Sequence, residues 1–387
     1  MALPLSYNVR NVRQRWQVTL LAIFGIALVV TVFVFLTAMS SGFRLALRAT
    51  GRTDNAIVVQ RGSNSELTSG INRGQASVMM VDSRIARGAD GQPLASPEIL
   101  VVANLRRKAD GAEVNVSVRG VTTKAFEVRG GIKMVQGQPF TPGLDEVVVG
   151  ERAADRFGLA LGSSVKINKR DWKIVGIFSS EGSGFESEIW GDLNVMAGPM
   201  RREGGYQVIA ARLADPSFLD AFKKVLEEDP QQQVSVTQER AYYEAQAGGI
   251  ANALMGLAVF VAVVMGTGAV FGAMNTMYAL VAARTREIGT LRALGFSRRS
   301  VLLSFVTESV FLALVGGILG CILALPANGV TSATNGANFS ELAFAFRITP
   351  FALGIGIAFA LVMGLLGGLL PAFRAARMPI TTALREA

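Results

Sequence analysis

The sequence predicts a membrane protein with four transmembrane α-helices and a large α+β domain inserted between helices 1 and 2. Half of its 387 residues are hydrophobic and the mean hydropathy is +0.39. The apolar residues concentrate in four runs, each long enough to cross the roughly 30 Å of bilayer hydrocarbon. The residues between the first two runs have the composition of a soluble domain. This uneven distribution favours a membrane protein over one large globular fold.

The chain divides into nine predicted segments. They are an interfacial segment (1–17), a first span (18–40), the α+β domain (41–249), a second span (250–283), a loop with a short helix (284–300), a third span (301–325), a short external loop (326–350), a fourth span (351–371) and a tail (372–387). The second span would be about 51 Å long at 1.5 Å per residue, so we expect it to extend beyond the bilayer as a stalk.

Arginines at the span ends predict the orientation. Three precede the first span, five lie in 284–300 and three follow the fourth span, whereas the loop 326–350 holds only Arg347. Basic residues favour the cytoplasmic side, so both termini and the loop 284–300 are predicted to be cytoplasmic. Val9, Val12 and Trp16 recur at helical spacing before the first span, which indicates either an interfacial helix on the lipid surface or a basic flank that only sets topology.

The positive net charge has the same origin. Residues 41–249 carry 26 Lys and Arg against 25 Asp and Glu, and the rest of the chain carries 12 against 4. The excess therefore lies at the span ends, and the charge gives no reason to expect a nucleic-acid partner.

Alternating and periodic patterns predict the elements of the α+β domain. Strands are predicted at 56–60, 113–121 and 147–149, followed by a helix at 151–159 and a strand pair at 164–168 and 172–178. A helix at 216–228, capped by Asp215, lies between strands at 206–213 and 233–237, which predicts a βαβ unit. We expect two lobes, with about 147–205 inserted as the second.

Glycine pairs predict close helix packing in the last three spans. Each span contains a G-x-x-x-G pair, and small residues at that spacing let two helices approach closely. The pairs are Gly268 and Gly272, Gly316 and Gly320, and Gly364 and Gly368.

The residue inventory excludes most catalytic and metal chemistry. The chain has no histidine, and its single cysteine, Cys321, lies in the third span. Zinc sites of the usual ligand sets and nucleophiles activated by histidine are therefore excluded. No G-x-x-x-x-G-K-[ST] phosphate loop occurs. We expect a chain that is not an enzyme and binds no metal or cofactor of its own.

The stretch 284–300 carries the clearest functional signal. A short helix is predicted in which Ile288, Leu291 and Leu294 share one face while Glu287 and Arg292 lie off it. Gly295 and Ser297 are predicted to end this helix and to cap the next one. A short amphipathic helix between two spans is suited to docking a soluble partner.

Two motifs resemble the MacB-like and FtsX-like family of ABC transporter permeases. They are E-I-G-T-L-R-A-L-G-F-S, which ends at Ser297, and P-A-F-R-A-A-R-M-P-I-T-T-A-L-R, which starts at Pro371. The resemblance implies a multi-pass permease subunit of the bacterial inner membrane with a periplasmic α+β domain. It implies ATPase coupling through these residues of the cytoplasmic loop: Arg286, Glu287, Ile288, Gly289, Leu291, Arg292, Leu294 and Gly295.

The same resemblance implies the partners. A separate cytoplasmic ABC ATPase would bind ATP and Mg²⁺, and its conformational change would pass through the spans to the periplasmic domains. A second permease chain would complete a homodimer or a heterodimer. If the system exports, a periplasmic adaptor protein and an outer-membrane channel would join it. The alternatives are a lipoprotein-releasing permease, an FtsX-like regulator of a cell-wall hydrolase and, least favoured, a membrane-anchored enzyme.

Two further groups of residues are candidate sites. Asn275 and Glu308 are polar residues within spans, and Glu308 could be a proton or substrate site or a structural hydrogen-bonding group. The loop from Ser179 to Trp190 combines aromatic and acidic side chains. It indicates either a periplasmic partner contact or a strand connection with half-buried aromatics. The candidate contact residues are Phe185, Glu186, Glu188 and Trp190.

Overall fold

The fold was analysed in a computed structural model, which describes residues 16–335 and 340–379. The predicted interfacial segment 1–17 therefore lies almost wholly outside the described residues, as does the end of the tail from 380 onward. The chain forms two compact units. One is the α+β domain, Gly42–Ala251 with Thr331–Ala345; the other is a helical unit made of the described residues before, between and after these segments.

The described residues form ten α-helices. They are α1 (Trp16–Thr50), α2 (Arg73–Met80), α3 (Lys124–Arg129), α4 (Glu151–Phe157), α5 (Leu193–Ala197), α6 (Leu219–Glu228), α7 (Glu239–Ala283), α8 (Thr285–Ala293), α9 (Arg298–Ala324) and α10 (Pro350–Arg377). Four helices of the described residues, α1, α7, α9 and α10, are long and apolar enough to cross a membrane.

Two of these helices extend furthest beyond their predicted spans. Helix α1 continues to Thr50, and α7 begins at Glu239 and has 45 residues. At 1.5 Å per residue α7 is about 67 Å long. Hydropathy ends a predicted span where polar residues begin, but a helix continues through polar residues of good propensity such as those before 250.

Two of the three glycine pairs pack against neighbouring helices of the helical unit. A Cβ added at Gly320 would meet the carbonyl oxygen of Ala27 at 2.5 Å, and one added at Gly364 would meet the Cβ of Ala313 at 2.3 Å. Only glycine allows α9 to approach α1, and α10 to approach α9, this closely. The third pair differs, since a Cβ at Gly268 or Gly272 would have no described atom within 4 Å.

Fourteen strands are formed by the described residues. They are β1 (Asn55–Gln60), β2 (Ile71–Asn72), β3 (Ala95–Arg106), β4 (Glu113–Val121), β5 (Lys133–Gly137), β6 (Glu146–Gly150), β7 (Ser164–Ile167), β8 (Arg170–Ser179), β9 (Glu188–Asp192), β10 (Gly205–Tyr206), β11 (Val208–Arg212), β12 (Val234–Gln238), β13 (Thr331–Asn335) and β14 (Glu341–Ala345). Ten of them form one mixed sheet in the order β12-β1-β11-β3-β4-β9-β6-β8-β5, with β7 beside β8.

The predicted βαβ unit is present in a split form. Strand β1 lies between β11 and β12 and is antiparallel to both. The two outer strands are therefore parallel to each other, and α6 connects them. Asp215 accepts a 2.8 Å hydrogen bond from the backbone N–H of Ser217, as the capping pattern predicts.

The second half of the sheet is larger than the predicted lobe at 147–205. Its hydrophobic core starts at Ile99 and ends at Met200, so it includes β3 and β4. The other core joins both ends of the domain, with Ile57 and Val58 of β1 near Val208 and Ile209 of β11 on the two faces of the sheet. The prediction failed because β3 pairs with both β11 and β4, so one strand serves both halves.

The predicted loop 326–350 contains a β-hairpin, β13–β14, which belongs to the α+β domain. Glu341 is its main anchor. This carboxylate accepts a 2.7 Å hydrogen bond from Arg107 and forms a second ion pair with Arg156. The backbone of Ala343 is held by the Ser187 hydroxyl at 3.0 Å. No hairpin was predicted here, because the segment contains no strong alternation of apolar and polar residues.

Candidate functional site

The short helix of the loop 284–300 is formed as predicted. Helix α8 covers Thr285–Ala293, Gly295 follows it with φ +94°, and Ser297 accepts a hydrogen bond from the N–H of Ser300 at the start of α9. Glycine is favoured at that left-handed position, and serine satisfies a free donor of the next helix.

The three residues of the predicted apolar face of α8 differ in their exposure. Ile288 is 3% exposed and packs among Val281 of α7, Phe305 of α9 and Ala375 of α10. Leu291 is half-buried, whereas Leu294 is 73% exposed. Ile288 therefore anchors α8 to the helical unit, and Leu294 is the apolar side chain left for a partner.

Arg292, which the resemblance implies to couple to an ATPase, makes its described hydrogen bonds within the chain. Its guanidinium donates to the carbonyl oxygens of Met378 at 2.8 Å and Ala376 at 3.3 Å. The last carbonyls of a helix have no partner within it, and a basic side chain near them is stabilising. Arg292 therefore caps the end of α10.

The exposed side chains of α8 define the face that points away from the helical unit. Arg286, Thr290 and Leu294 are exposed and recur every four residues, with Glu287 exposed beside them. Gly289 is buried. Residues four apart lie on the same side of a helix. We call the exposed residues Arg286, Glu287, Thr290 and Leu294 the outward face of α8.

The two polar residues predicted within spans have different surroundings. Glu308 of α9 is 4% exposed and pairs with Arg284, whose Nη1 lies 3.2 Å from Oε2. Asn275 of α7 is exposed. The arginine partner favours the second interpretation of Glu308, a structural group, over a proton or substrate site.

The loop 179–190 is buried, so the four candidate contact residues are not presented to a partner. Phe185, Glu186, Glu188 and Trp190 are all less than 9% exposed. One carboxylate oxygen of Glu186 accepts hydrogen bonds from Ser179, Ser180 and Gly182 of its own loop, each at 2.8–3.0 Å. The sequence left both a partner contact and a strand connection open, because the arginine partners of the acidic residues lie elsewhere in the chain.

One of these residues, Glu188, belongs to a buried charged cluster that the sequence analysis missed. At its centre is Glu98 of β3, which accepts hydrogen bonds from two arginines. Arg129 donates through Nε at 3.0 Å and Nη2 at 2.5 Å, and Arg119 donates through Nη1 at 2.9 Å. All three side chains are at most 2% exposed. The cluster contains Glu66, Glu98, Arg119, Arg129, Glu188, Glu239 and Tyr243.

Arg119 of β4 connects Glu98 to two more carboxylates. It binds Glu188 through two hydrogen bonds of 2.7 and 2.8 Å, and Glu66 through one of 2.8 Å. Phe185 packs on the arginines, with the Arg119 guanidinium 5.4 Å from its ring centroid. Two-pronged arginine–carboxylate pairs are among the stronger polar contacts in proteins.

The first turn of α7 completes the cluster. Glu239 is fully buried and pairs with Arg129, while its other oxygen accepts from the backbone N–H of Arg52 at 3.0 Å and from Asn55 at 2.9 Å. One turn later, the Tyr243 hydroxyl donates to Glu66 at 2.7 Å. The cluster therefore joins the start of α7 to the centre of the sheet.

Burial and charge shift the pKa values within the cluster in different directions. Burial disfavours the ionised form of Glu98, but the charges of Arg129 and Arg119 outweigh it and lower the pKa of this carboxyl. Burial raises the pKa of Glu239 despite its bond to Arg129. Burial, reinforced by Glu66, also raises the pKa of Tyr243, so this side chain is a neutral donor at ordinary pH.

A sequence signal for the cluster did exist. Glu98 and Arg119 interrupt strands that are otherwise apolar, in P-E-I-L-V-V-A and V-S-V-R-G-V. A charge inside a buried strand requires a partner of opposite sign. The partners could not be assigned, because Glu188 lies 69 residues from Arg119 along the chain and Glu239 lies 110 residues from Arg129.

Among residues 16–335 and 340–379, no group of three or more Asp, Glu or Cys could hold a metal ion. The acidic side chains of the buried cluster are held by arginines, a tyrosine and backbone N–H groups instead.

Family models match most of the chain. Residues 19–229 match the MacB-like periplasmic core domain, and residues 259–380 match the FtsX-like permease C-terminal region. Three curated relatives are similar. The macrolide export ATP-binding/permease protein MacB of Brucella abortus is 28% identical over 59% of this chain and 35% of its own length. The pyoverdine export ATP-binding/permease protein PvdT of Pseudomonas fluorescens is 30% identical over 65% and 40%.

The third relative is the uncharacterized ABC transporter permease YvrN of Bacillus subtilis, which is 26% identical over 94% of this chain and 93% of its own length. By contrast, the matched region spans only 35% and 40% of the MacB and PvdT relatives. The fold and these matches define a class of protein, the ABC transporter permeases, which are not themselves catalytic. The chain belongs to the MacB-like and FtsX-like family of such permeases.

Proposed function

We propose that this chain is the permease subunit of an ABC transporter. A separate cytoplasmic ATPase binds the outward face of α8, and its ATP-driven conformational change passes through the spans to the periplasmic α+β domain. The observation that carries the proposal is Leu294, which is 73% exposed on a short helix that Ile288 and Arg292 anchor from the other side. An exposed apolar side chain on a firmly held helix is a suitable anchor for a partner groove.

The relatives' names support ATP hydrolysis by a partner chain. MacB and PvdT are named ATP-binding/permease proteins, and most of their length lies outside the matched region. YvrN matches this chain over nearly its full length and is named only as a permease. This pattern supports ATP and Mg²⁺ being bound by a partner ATPase, with no cofactor on this chain.

We place the protein in the bacterial inner membrane with four spans and both termini in the cytoplasm. The asymmetry of arginines at the span ends supports this orientation. It puts α8 on the cytoplasmic side, where an ATPase could bind it. It also puts the α+β domain and the hairpin β13–β14 in the periplasm.

A second permease chain would complete the transporter as a homodimer or a heterodimer. Gly268 and Gly272 of α7 support this, because they face no described atom within 4 Å and form an open groove with Gly25 of α1. Small residues are favoured where membrane helices of two chains pack. This glycine pair packs against no described helix of this chain, so it is available to a helix of a second chain.

The transported substrate is proposed only by analogy with the relatives. The names of MacB and PvdT refer to export of a macrolide and of pyoverdine. We therefore favour export or extrusion of a periplasmic substrate, with a periplasmic adaptor protein and an outer-membrane channel as further partners. The alternatives remain a lipoprotein-releasing permease and an FtsX-like regulator of a cell-wall hydrolase.

Affinity purification of the tagged chain from native membranes distinguishes these functions. An ABC ATPase should co-purify, and an adaptor protein should accompany it if the system exports. A co-purifying lipoprotein would favour lipoprotein release, and a cell-wall hydrolase would favour the regulatory function. Recovery of the chain without any ATPase, from membranes that retain other ABC complexes, would contradict the proposal.

A further inference from the structure

The first turn of α7 is held to the centre of the sheet by a buried arginine. We propose that Arg129 is a positioning residue that fixes the start of α7 to β3, so that this turn and the central strands move as one body. The proposal deepens the proposed function, and it depends on that function only where it concerns ATP-driven movement. The joint is defined as Arg129 with its two carboxylate partners, Glu98 and Glu239.

The start of α7 is enclosed by the domain backbone as well as by side chains. A Cβ added at Gly51 would meet the Cα of Arg240 at 2.4 Å, so the chain that leaves α1 lies directly on the first turn of α7. Glu239 binds the N–H of Arg52 in the same segment. No side chain larger than glycine fits at this contact, which leaves little freedom for the turn to shift.

Arg129 provides the connection from this turn to the sheet. One of its nitrogens binds Glu239 and the others bind both oxygens of Glu98. Glu98 in turn binds Arg119, which binds Glu188 of β9. The path from α7 thus reaches β3, β4 and β9 through side chains that are all less than 9% exposed. Strand β3 is also the strand shared by both halves of the sheet.

The geometry favours a positioning role over a general contribution to stability. An arginine bonded to one strand alone would not tie α7 to the sheet, whereas this arginine divides its donors between a helix and a strand. Removing one partner of a buried pair leaves an unpaired charge without water to stabilise it. Loss of the pair should therefore loosen the first turn of α7 before the rest of the domain.

Hydrogen exchange of the full chain, without nucleotide, tests the joint. The isosteric variant Glu239→Gln removes the charge but keeps the volume. We expect the amides of residues 243–250 to exchange about 100-fold faster, while amides of β3 and β4 change little. Arg129→Met should give the same selective loss. Glu244→Gln is the matched control, because it lies on the same helix in an exposed pair with Arg48, and it should leave exchange unchanged.

Two results would overturn the joint. Unchanged exchange at 243–250 in Glu239→Gln would show that the pair does not hold the helix. An equal increase in α7, β3 and β4 would show that the pair supports the core as a whole. If Arg129→Met does not fold, Glu239→Gln decides the matter alone, since it creates no cavity.

A second experiment, hydrogen exchange with ATP present, distinguishes failure of the joint from failure of the proposed function. In the complex with its ATPase, ATP should alter exchange in both α7 and β3 of the wild-type chain, and in α7 only of Glu239→Gln. A nucleotide response that persists in β3 of this variant would contradict transmission through the joint. If the wild-type chain shows no nucleotide response at all, the proposed function fails while the nucleotide-free result still decides the joint.

Discussion

Arg292, in the last turn of α8, donates a 2.8 Å hydrogen bond to the carbonyl oxygen of Met378, just beyond the end of α10. This bond fixes which side of α8 faces outward. Because Ile288 is buried on the inner side, the outward face is the side of α8 that a partner can reach. Of the predicted apolar face, only Leu294 belongs to this outward face.

Leu294→Asp should weaken binding of the ATPase about tenfold or more without destabilising the chain. The side chain is 73% exposed in the free chain, so a charge there costs nothing until a partner covers it. Binding of the purified ATPase to the chain in nanodiscs measures the effect. Val81→Asp, an equally exposed apolar site in the α+β domain at 68%, is the matched control. Equal affinity of both variants would remove Leu294 from the contact.

Arg292→Gln should loosen the end of α10. The variant loses a charge-assisted bond to two helix-terminal carbonyls, and we expect about tenfold faster hydrogen exchange in the last turn of that helix. Arg292→Lys, which keeps a cation there, should restore part of the protection. Wild-type exchange in Arg292→Gln would show that the end of α10 is held by its other contacts.

The Arg284–Glu308 pair should behave as a structural ion pair. Arg284→Met leaves a buried carboxylate unpaired and should lower stability by about 3–5 kcal/mol. The double variant Arg284→Met with Glu308→Leu should recover most of this loss, because apolar side chains replace both charges. Thermal unfolding in detergent measures both effects. A double variant less stable than Arg284→Met alone would show that Glu308 has a role beyond this pair.

Acid should release the hairpin β13–β14. Burial opposes ionisation of Glu341, but bonds to Arg156 and Arg107 outweigh it and hold its pKa below the ordinary value of 4.5. A carboxyl with a lowered pKa in the folded state adds stability above its unfolded pKa, and that stability is lost as the pH falls through the folded pKa. The protection of the β14 amides, taken relative to their intrinsic exchange rates at each pH, should therefore fall as the pH falls below about 4.5.

Glu341→Gln supplies the control for the acid response. It should show lowered protection of the β14 amides at neutral pH and little further loss of protection on acidification. The same acid response in the variant as in the wild-type chain would assign the pH dependence to another group.

Local chemistry made part of the fold predictable. Gly295 and Ser297 are fixed by the requirements of neighbouring helix ends, and Asp215 caps its helix by a bond to a residue two positions away. Such signals are contained in a few consecutive residues, so they can be recognised without knowing the fold.

Contacts between distant residues could not be predicted in this way. Arg129 and Glu239 meet only because the fold brings the end of α3 to the first turn of α7. The hairpin depends on Glu341, whose partner Arg107 lies 234 residues earlier. The same limit applies to the loop 179–190, because Glu188 pairs with Arg119, which lies on a strand distant along the chain.

ATP hydrolysis by the purified chain tests the central claim most directly. The claim is that this chain moves in response to ATP that another protein hydrolyses. The chain, shown by mass spectrometry to be free of other proteins, should hydrolyse no ATP in nanodiscs, and hydrolysis should appear when the co-purified ATPase is added. Hydrolysis by the chain alone, at a rate that added ATPase does not change, would contradict this account.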